Sequence, residues 1–191
     1  MKKLIAVLMA ALICLSFSAC GGGETTPDAS SSEIESKAPL TEVNIAELAS
    51  TGALPEQDVG LGSIMGDVRA KYANNDSLTF QDKNGLYILS CENNTYFINK
   101  SNFGVIGLLT ENVAYGIKKT ATKAEIKEHI GEPSKEFTPD GTIDVYGNLE
   151  GTKSAVSYIF GDFTLSFYFV SDTLHSTLIY KTDSLTEYSG T

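Results

Sequence analysis

His129 and His175 are the chain's two histidines, and an imidazole-held metal would need a third ligand beside them. No His-Glu-x-x-His, no Cys-x-x-Cys and no further histidine supplies one, so both read as structural histidines. Gly60-Leu61-Gly62-Ser63-Ile64-Met65-Gly66 has the glycine density of a phosphate cradle. Met65, however, stands where a dinucleotide fingerprint has its third glycine, and no Walker lysine follows. The run reads as a loop entering a helix. Asp140 and Asp144 flank a turn as calcium-loop carboxylates do, but glycine is second in that run rather than sixth, which leaves at most a weak surface site. Serines are many without a Gly-x-Ser-x-Gly elbow. Cys91 closes the strand-like run Leu86–Cys91 and reads as a small buried apolar residue, not a nucleophile. The expectation is no catalytic residue, no metal and no cofactor.

Composition bounds the partners. The 191 residues are 42% apolar and 20% charged, enough for one ordinary domain or two small ones. A net charge of −10 with Arg69 as the only arginine argues against nucleic acid, whose phosphates need a basic face.

The elements that would position these side chains follow a pattern seen twice. Thr122-Lys123-Ala124-Glu125 is a capping box, Ile126 and Ile130 share one helix face, and Gly131 and Pro133 end the helix. Strand signals follow at Thr142–Tyr146, Ala155–Phe160, Phe163–Phe169 and Leu174–Tyr180. Earlier, Ser63 is placed to cap a helix from Ile64 to about Ala73, with Asp67, Val68 and Tyr72 matching Glu125, Ile126 and Ile130 at an offset of 58. Strands are expected next at Leu78–Gln81, Leu86–Cys91, Thr95–Asn99 and Val105–Thr110. Asn44–Ala49 has the makings of a helical turn or two, ended by Gly52 and Pro55.

The N-terminus has its own pattern. Met1-Lys2-Lys3 precedes an uncharged apolar run from Leu4 to Phe17, short for a membrane span and suited to a signal-peptide core. Ser18-Ala19-Cys20 resembles the lipobox of bacterial lipoproteins, with Phe17 where leucine is usual. That resemblance implies cleavage after residue 19 and lipidation of Cys20. The stretch from Gly21 to about Pro39 is Gly, Ser, Thr, Pro and acid, and reads as a flexible, disordered tether. With Cys14 removed and Cys20 lipidated, Cys91 alone remains, so no internal disulfide is expected.

The run Thr120–Pro133 resembles the helix signature of the SmpA/OmlA (BamE-like) lipoproteins and of β-lactamase inhibitor protein, each of which sets a short helix before a small antiparallel sheet. Thr120 replaces the usual glycine, and the earlier copy lacks Gly-x-Pro after Tyr72. The resemblance implies an α+β fold of two tandem helix-plus-antiparallel-β-meander repeats. The expected organisation is then a signal peptide over 1–19, lipidated cysteine and tether over 20–40, and repeats over 41–114 and 115–191.

The functional expectation is a lipid-anchored, non-enzymatic module on the outer face of a bacterial membrane, binding an envelope protein or peptide. Tyr168, His175 and Ile179 are expected on the sheet face opposite the row Phe163, Leu165, Phe167 and Phe169, as the candidate binding surface. The alternatives are an inhibitor or sensor of an envelope enzyme and, further off, a small wall hydrolase.

Overall fold

The computed structural model describes residues 42–83, 85–138 and 154–185, all within one compact unit that spans Lys37–Thr191. Among the described residues three short helices occur, α1 (Glu42–Ser50), α2 (Met65–Lys71) and α3 (Lys123–Ile130). Eight strands accompany them: β1 (Thr79–Lys83), β2 (Leu86–Cys91), β3 (Asn94–Asn99), β4 (Val105–Thr110), β5 (Lys135–Phe137), β6 (Ser154–Phe160), β7 (Phe163–Val170) and β8 (Thr173–Lys181). The expected lipidation site Cys20, its signal peptide and tether, the strand Thr142–Tyr146, and Asp140 and Asp144 all lie outside the described residues.

Local signals set the helix ends. The Thr122 hydroxyl accepts from the Glu125 N–H at 3.3 Å, and the Glu125 carboxylate accepts from the Thr122 N–H at 2.7 Å, a complete capping box. Gly131 stops α3 at φ +94°, a backbone region that side-chain-bearing residues rarely adopt. Helix α2 begins one residue later than expected. Its cap is Ile64, whose N–H donates to the Asp67 carboxylate at 2.9 Å. Ile64 has no side-chain acceptor to return the bond. Ser63 is unavailable as the cap because its carbonyl accepts from the Val105 N–H at 2.8 Å, which ties it to β4.

The expectation of two tandem helix-and-meander repeats is corrected by the sheet. All eight strands form one continuous antiparallel sheet in the order β1-β2-β3-β4-β8-β7-β6-β5. The join is the β4–β8 pairing, with Gly107 opposite Tyr180, Leu108 opposite Ile179, Leu109 opposite Leu178 and Thr110 opposite Thr177. Separate meanders would leave β4 and β8 as apolar edges with unpaired N–H and C=O groups. Pairing them satisfies both ladders and buries Leu108, Leu109, Leu178 and Ile179.

Alternation assigns the faces. One face carries Leu89, Tyr96, Ile98, Leu108, Ile179, Leu165, Phe167 and Phe169, packed with Ile45, Val68 and Ile126 of the three helices in the larger core cluster. The other carries Leu86, Ile88, Phe97, Leu109, Leu178, Tyr168 and Ala155 in a smaller cluster that includes Leu185. Helix α1 packs on α3, β6 and β7. Its exit is held by Gly52 at φ +73°, where an added Cβ would lie 2.8 Å from the Phe163 ring. The chain after β4 is tied back by Tyr115, whose buried hydroxyl donates to the Ala53 carbonyl at 2.8 Å.

Candidate functional site

Phe80 and Phe103, the exposed aromatic side chains among the described residues, both lie at the β1 end of the sheet. Phe80 on β1 and Tyr87 on β2 project to the helix-bearing face, and their ring centroids are 5.3 Å apart. Phe103, in the β3–β4 loop, stacks on Tyr87 at 6.0 Å with 15° between the planes. Ile64 sits beside it, because the Met65 N–H donates to the Phe103 carbonyl at 2.8 Å and Ile64 bridges to Gly104. Phe80, Phe103 and Ile64 are each about half exposed, at 49%, 47% and 53%. Exposure to water of three large apolar side chains grouped around Tyr87 and the β3–β4 loop is unfavourable.

Two cations border these rings. The Arg69 guanidinium of α2 lies 5.6 Å from the Phe80 centroid, and the Lys100 ammonium lies 5.2 Å from that of Tyr87. Both distances fall within cation–π range. Lys100 is also ion-paired with Asp82 of β1. We call this arrangement the ledge.

The ledge is held rigidly. Phe103 adopts φ +57°, a left-handed conformation costly for a bulky side chain. The surrounding bonds impose it. The Phe103 N–H donates to the Asn99 carbonyl at 2.8 Å, and the Asn99 N–H donates to the Gly104 carbonyl at 2.9 Å. The Asn102 side-chain oxygen accepts from the Gly104 N–H at 3.0 Å. Local charge is also distinctive: residues 60–104 hold four acidic and four basic side chains, so the chain's net −10 lies wholly outside this segment.

The expected surface is placed differently. Tyr168 is 3% exposed in the smaller cluster and Ile179 1% exposed in the larger one, so they are buried on opposite faces of the sheet. Ile179 pairs with Leu165 and therefore shares the phenylalanine row's face. His175 is half-buried at a β-bulge, where Tyr168 faces Ser176 and Phe169 faces Leu174. The expectation of a shared face fails because the β7–β8 register sets Ile179 opposite Leu165 and Tyr168 opposite Ser176, and the bulge displaces only His175 from the alternation. His129 is exposed on α3, so the two histidines lie on separate elements. Among the described residues no three His, Cys, Asp or Glu side chains gather as a metal would require.

Cys91 lies on the helix-bearing face, 1% exposed, with its sulfur 3.4 Å from the Ser77 hydroxyl. Next to it Tyr72 and Tyr96 share a hydroxyl–hydroxyl bond of 3.2 Å, and the Asn94 amide donates to Tyr72 at 3.3 Å. Burial, reinforced by the Tyr72 bond, pushes the Tyr96 hydroxyl well above the ordinary tyrosine range. It stays protonated and neutral. This network pins α2 to β3 and offers no base to activate the thiol. The glycine run 60–66 ties the entrance of α2 to the sheet: the Gly62 N–H donates to the carbonyl of Val105, the first residue of β4, at 3.1 Å.

Sequence reading passed over Phe80, Tyr87, Phe103, Arg69 and Lys100 as a group. One signal was available: Phe103 stands in Ser101-Asn102-Phe103-Gly104, turn-forming company in which a large apolar residue finds no core.

No protein-family model matches the sequence, and no curated protein does. Comparison with solved structures returns the following, among others. A DUF4309 family protein (YjgB) from Bacillus subtilis superposes with a TM-score of 0.50 at 14% identity, over 74% of this chain and 95% of that one. A cysteine-rich secretory protein (SAV1118) from Staphylococcus aureus gives a TM-score of 0.42 at 19% identity, over 70% of this chain and 49% of that one. The first likeness shows that this sheet-and-short-helix arrangement occurs in a second protein, and it is a likeness of fold alone.

Proposed function

We propose that this protein is a non-enzymatic binding module of the bacterial cell envelope, anchored by lipid at Cys20, which engages a protein or peptide partner through the ledge. The ledge carries the reading. It is a rigid cluster of exposed Phe80, Phe103 and Ile64 with Arg69 and Lys100 at its border. Aromatic and arginine side chains of this kind dominate protein interfaces. The lipobox-like Ser18-Ala19-Cys20 and the acidic tether support the location. An acidic domain is repelled by an anionic membrane surface, so lipid rather than charge would retain it there.

The test compares the full chain with the double variant Phe80→Ala/Phe103→Ala for proteins cross-linked to it in intact envelopes. Both rings are half exposed, so the variant keeps its fold, to be verified by its unfolding curve. Loss of a discrete cross-linked species in the variant supports the reading, and identical species in both sinks it. Separately, Cys20→Ser should move the protein from the membrane fraction to the medium; continued membrane attachment refutes the anchor.

A further inference from the structure

Strand β1 is the terminal strand of the sheet order, and all five of its residues are exposed. Lys83 pairs with Leu86 across a two-residue connection, so that pair, Gln81–Ile88 and Thr79–Ser90 exchange the backbone bonds of the hairpin. The N–H and C=O groups of Phe80 and Asp82 consequently point away from β2. They are the residues whose side chains belong to the ledge. One short edge thus presents backbone groups unpaired by any strand among the described residues, and an aromatic, cation-bordered side-chain surface in the same frame.

Resting on the reading of the ledge as a binding surface, we propose that its occupant is an extended acidic peptide segment that adds to β1 as a ninth strand. Main-chain bonds to Phe80 and Asp82 would supply the attachment, and alternate side chains would supply the choice of sequence. Residues on the partner's ledge-facing side meet the Phe80 ring and the Arg69 guanidinium. Those on its other side run beside Lys83. Charge sets the sign of the partner. Arg69 is exposed beside the Phe80 ring, and no carboxylate among the described residues is ion-paired with it, in a chain that is strongly acidic outside residues 60–104. Asp82 is already engaged by Lys100, and Asp67 by the Ile64 N–H. An incoming carboxylate therefore meets the Arg69 guanidinium, the Lys100 charge being already balanced by Asp82, whereas a basic segment is drawn to the rest of the molecule. The alternating geometry of an edge strand favours peptide over glycan, which has no ladder of amide donors and acceptors to match it.

The probe is a fluorescein-labelled nonapeptide of alternating valine and glutamate, titrated onto the full chain and followed by anisotropy. It is prepared unmodified, N-methylated on the valine amides, and N-methylated on the glutamate amides. Strand addition uses only every second amide of the new strand. Binding should therefore fall at least tenfold in one methylated form and change less than twofold in the other. Arg69→Gln should weaken the unmodified peptide about tenfold, and 0.5 M salt should weaken it further. Equal behaviour of the two methylated forms overturns the proposal. So does equal binding of a valine–lysine peptide, binding of a polygalacturonate oligomer in place of peptide, or a dimer of the chain formed through β1. If the Phe80→Ala/Phe103→Ala variant loses its envelope partner while no peptide binds, the ledge stands and strand addition falls. If neither experiment responds, the ledge itself is not the site.

Discussion

Helices α2 and α3 each lean a basic side chain over the outermost strand of their half of the sheet, and those side chains meet opposite things. Arg69 of α2 lies over the Phe80 ring of β1. Lys127 of α3, 58 residues further along the chain, is paired with Glu136 of β5 and lies 3.5 Å from Glu132. Lys123 adds a second contact to Glu136 at 3.5 Å. The β5 side is closed on itself: its charges find partners within the molecule, and its exposed ion pairs contribute little to stability. The β1 side leaves rings and a guanidinium facing solvent. The difference teaches where folding requirements end. Val68 and Ile126 are both wholly buried and anchor their helices alike, but the residues one position on have been put to separate uses.

The comparison can be broken first at the anchors. Ile126→Ala should lower stability by about 2–5 kcal/mol in urea unfolding, through lost burial and the cavity left under α3. A loss below about 1 kcal/mol would mean that α3 is not fastened as described. The helix caps come next. Thr122→Ala should cost α3 about 1 kcal/mol, whereas Ile64→Thr should complete the half-made box of α2 and stabilise by up to about 1 kcal/mol. Ile64→Thr should at the same time weaken partner binding. A protein made steadier and less competent by one change would show that Ile64 is kept for the ledge.

Phe103 offers a finer test. Alanine usually outranks glycine in folded structure, yet at φ +57° the order should invert. Phe103→Gly should unfold later than Phe103→Ala by about 1 kcal/mol, the cost of placing a Cβ in the left-handed region. Equal midpoints would remove the strain from the account.

The smallest effect is in acid. The Thr122 N–H and hydroxyl hold the Glu125 carboxyl below the ordinary glutamate value of 4.5, and the Lys127 ammonium holds Glu136 below it too. A carboxylate whose folded pKa is depressed contributes stability above its unfolded value and loses it as the pH falls through the folded one. Glu125→Gln should therefore be slightly destabilising at pH 7, with a penalty that shrinks as the pH falls below 4.5. An equal penalty above and below that value would show that charge plays no part in that cap.

Much of this architecture is legible in local sequence. The Thr122/Glu125 box, Gly131 and the strands Leu86–Cys91 and Val105–Thr110 are where spacing puts them, because each depends on residues within one or two turns of the chain. Strand β5 was not legible: three residues, Lys135–Phe137, carry too little alternation to register. The β4–β8 join was not legible either, since nothing near Leu108 in sequence announces Ile179. Tyr168 and Ile179 were misgrouped because facing across strands depends on register, and the chain alone does not announce that Ile179 lies opposite Leu165. The ledge assembles Phe80, Tyr87, Phe103 and Arg69 from four segments, and only the folded backbone sets them side by side.

The β4–β8 join also imposes an order on events at birth. Strand β8 follows β4 by about sixty residues, so a growing chain holds the partner edge of β4 bare until that length has been made, roughly three to fifteen seconds at ordinary elongation rates. During that interval Leu108 and Leu109 border an open ladder, the arrangement most inclined to pair with a neighbouring chain. The nascent protein is thus at its most vulnerable after its first four strands are complete and before its last one appears, and a stall anywhere between Glu111 and Asp172 would prolong that exposure.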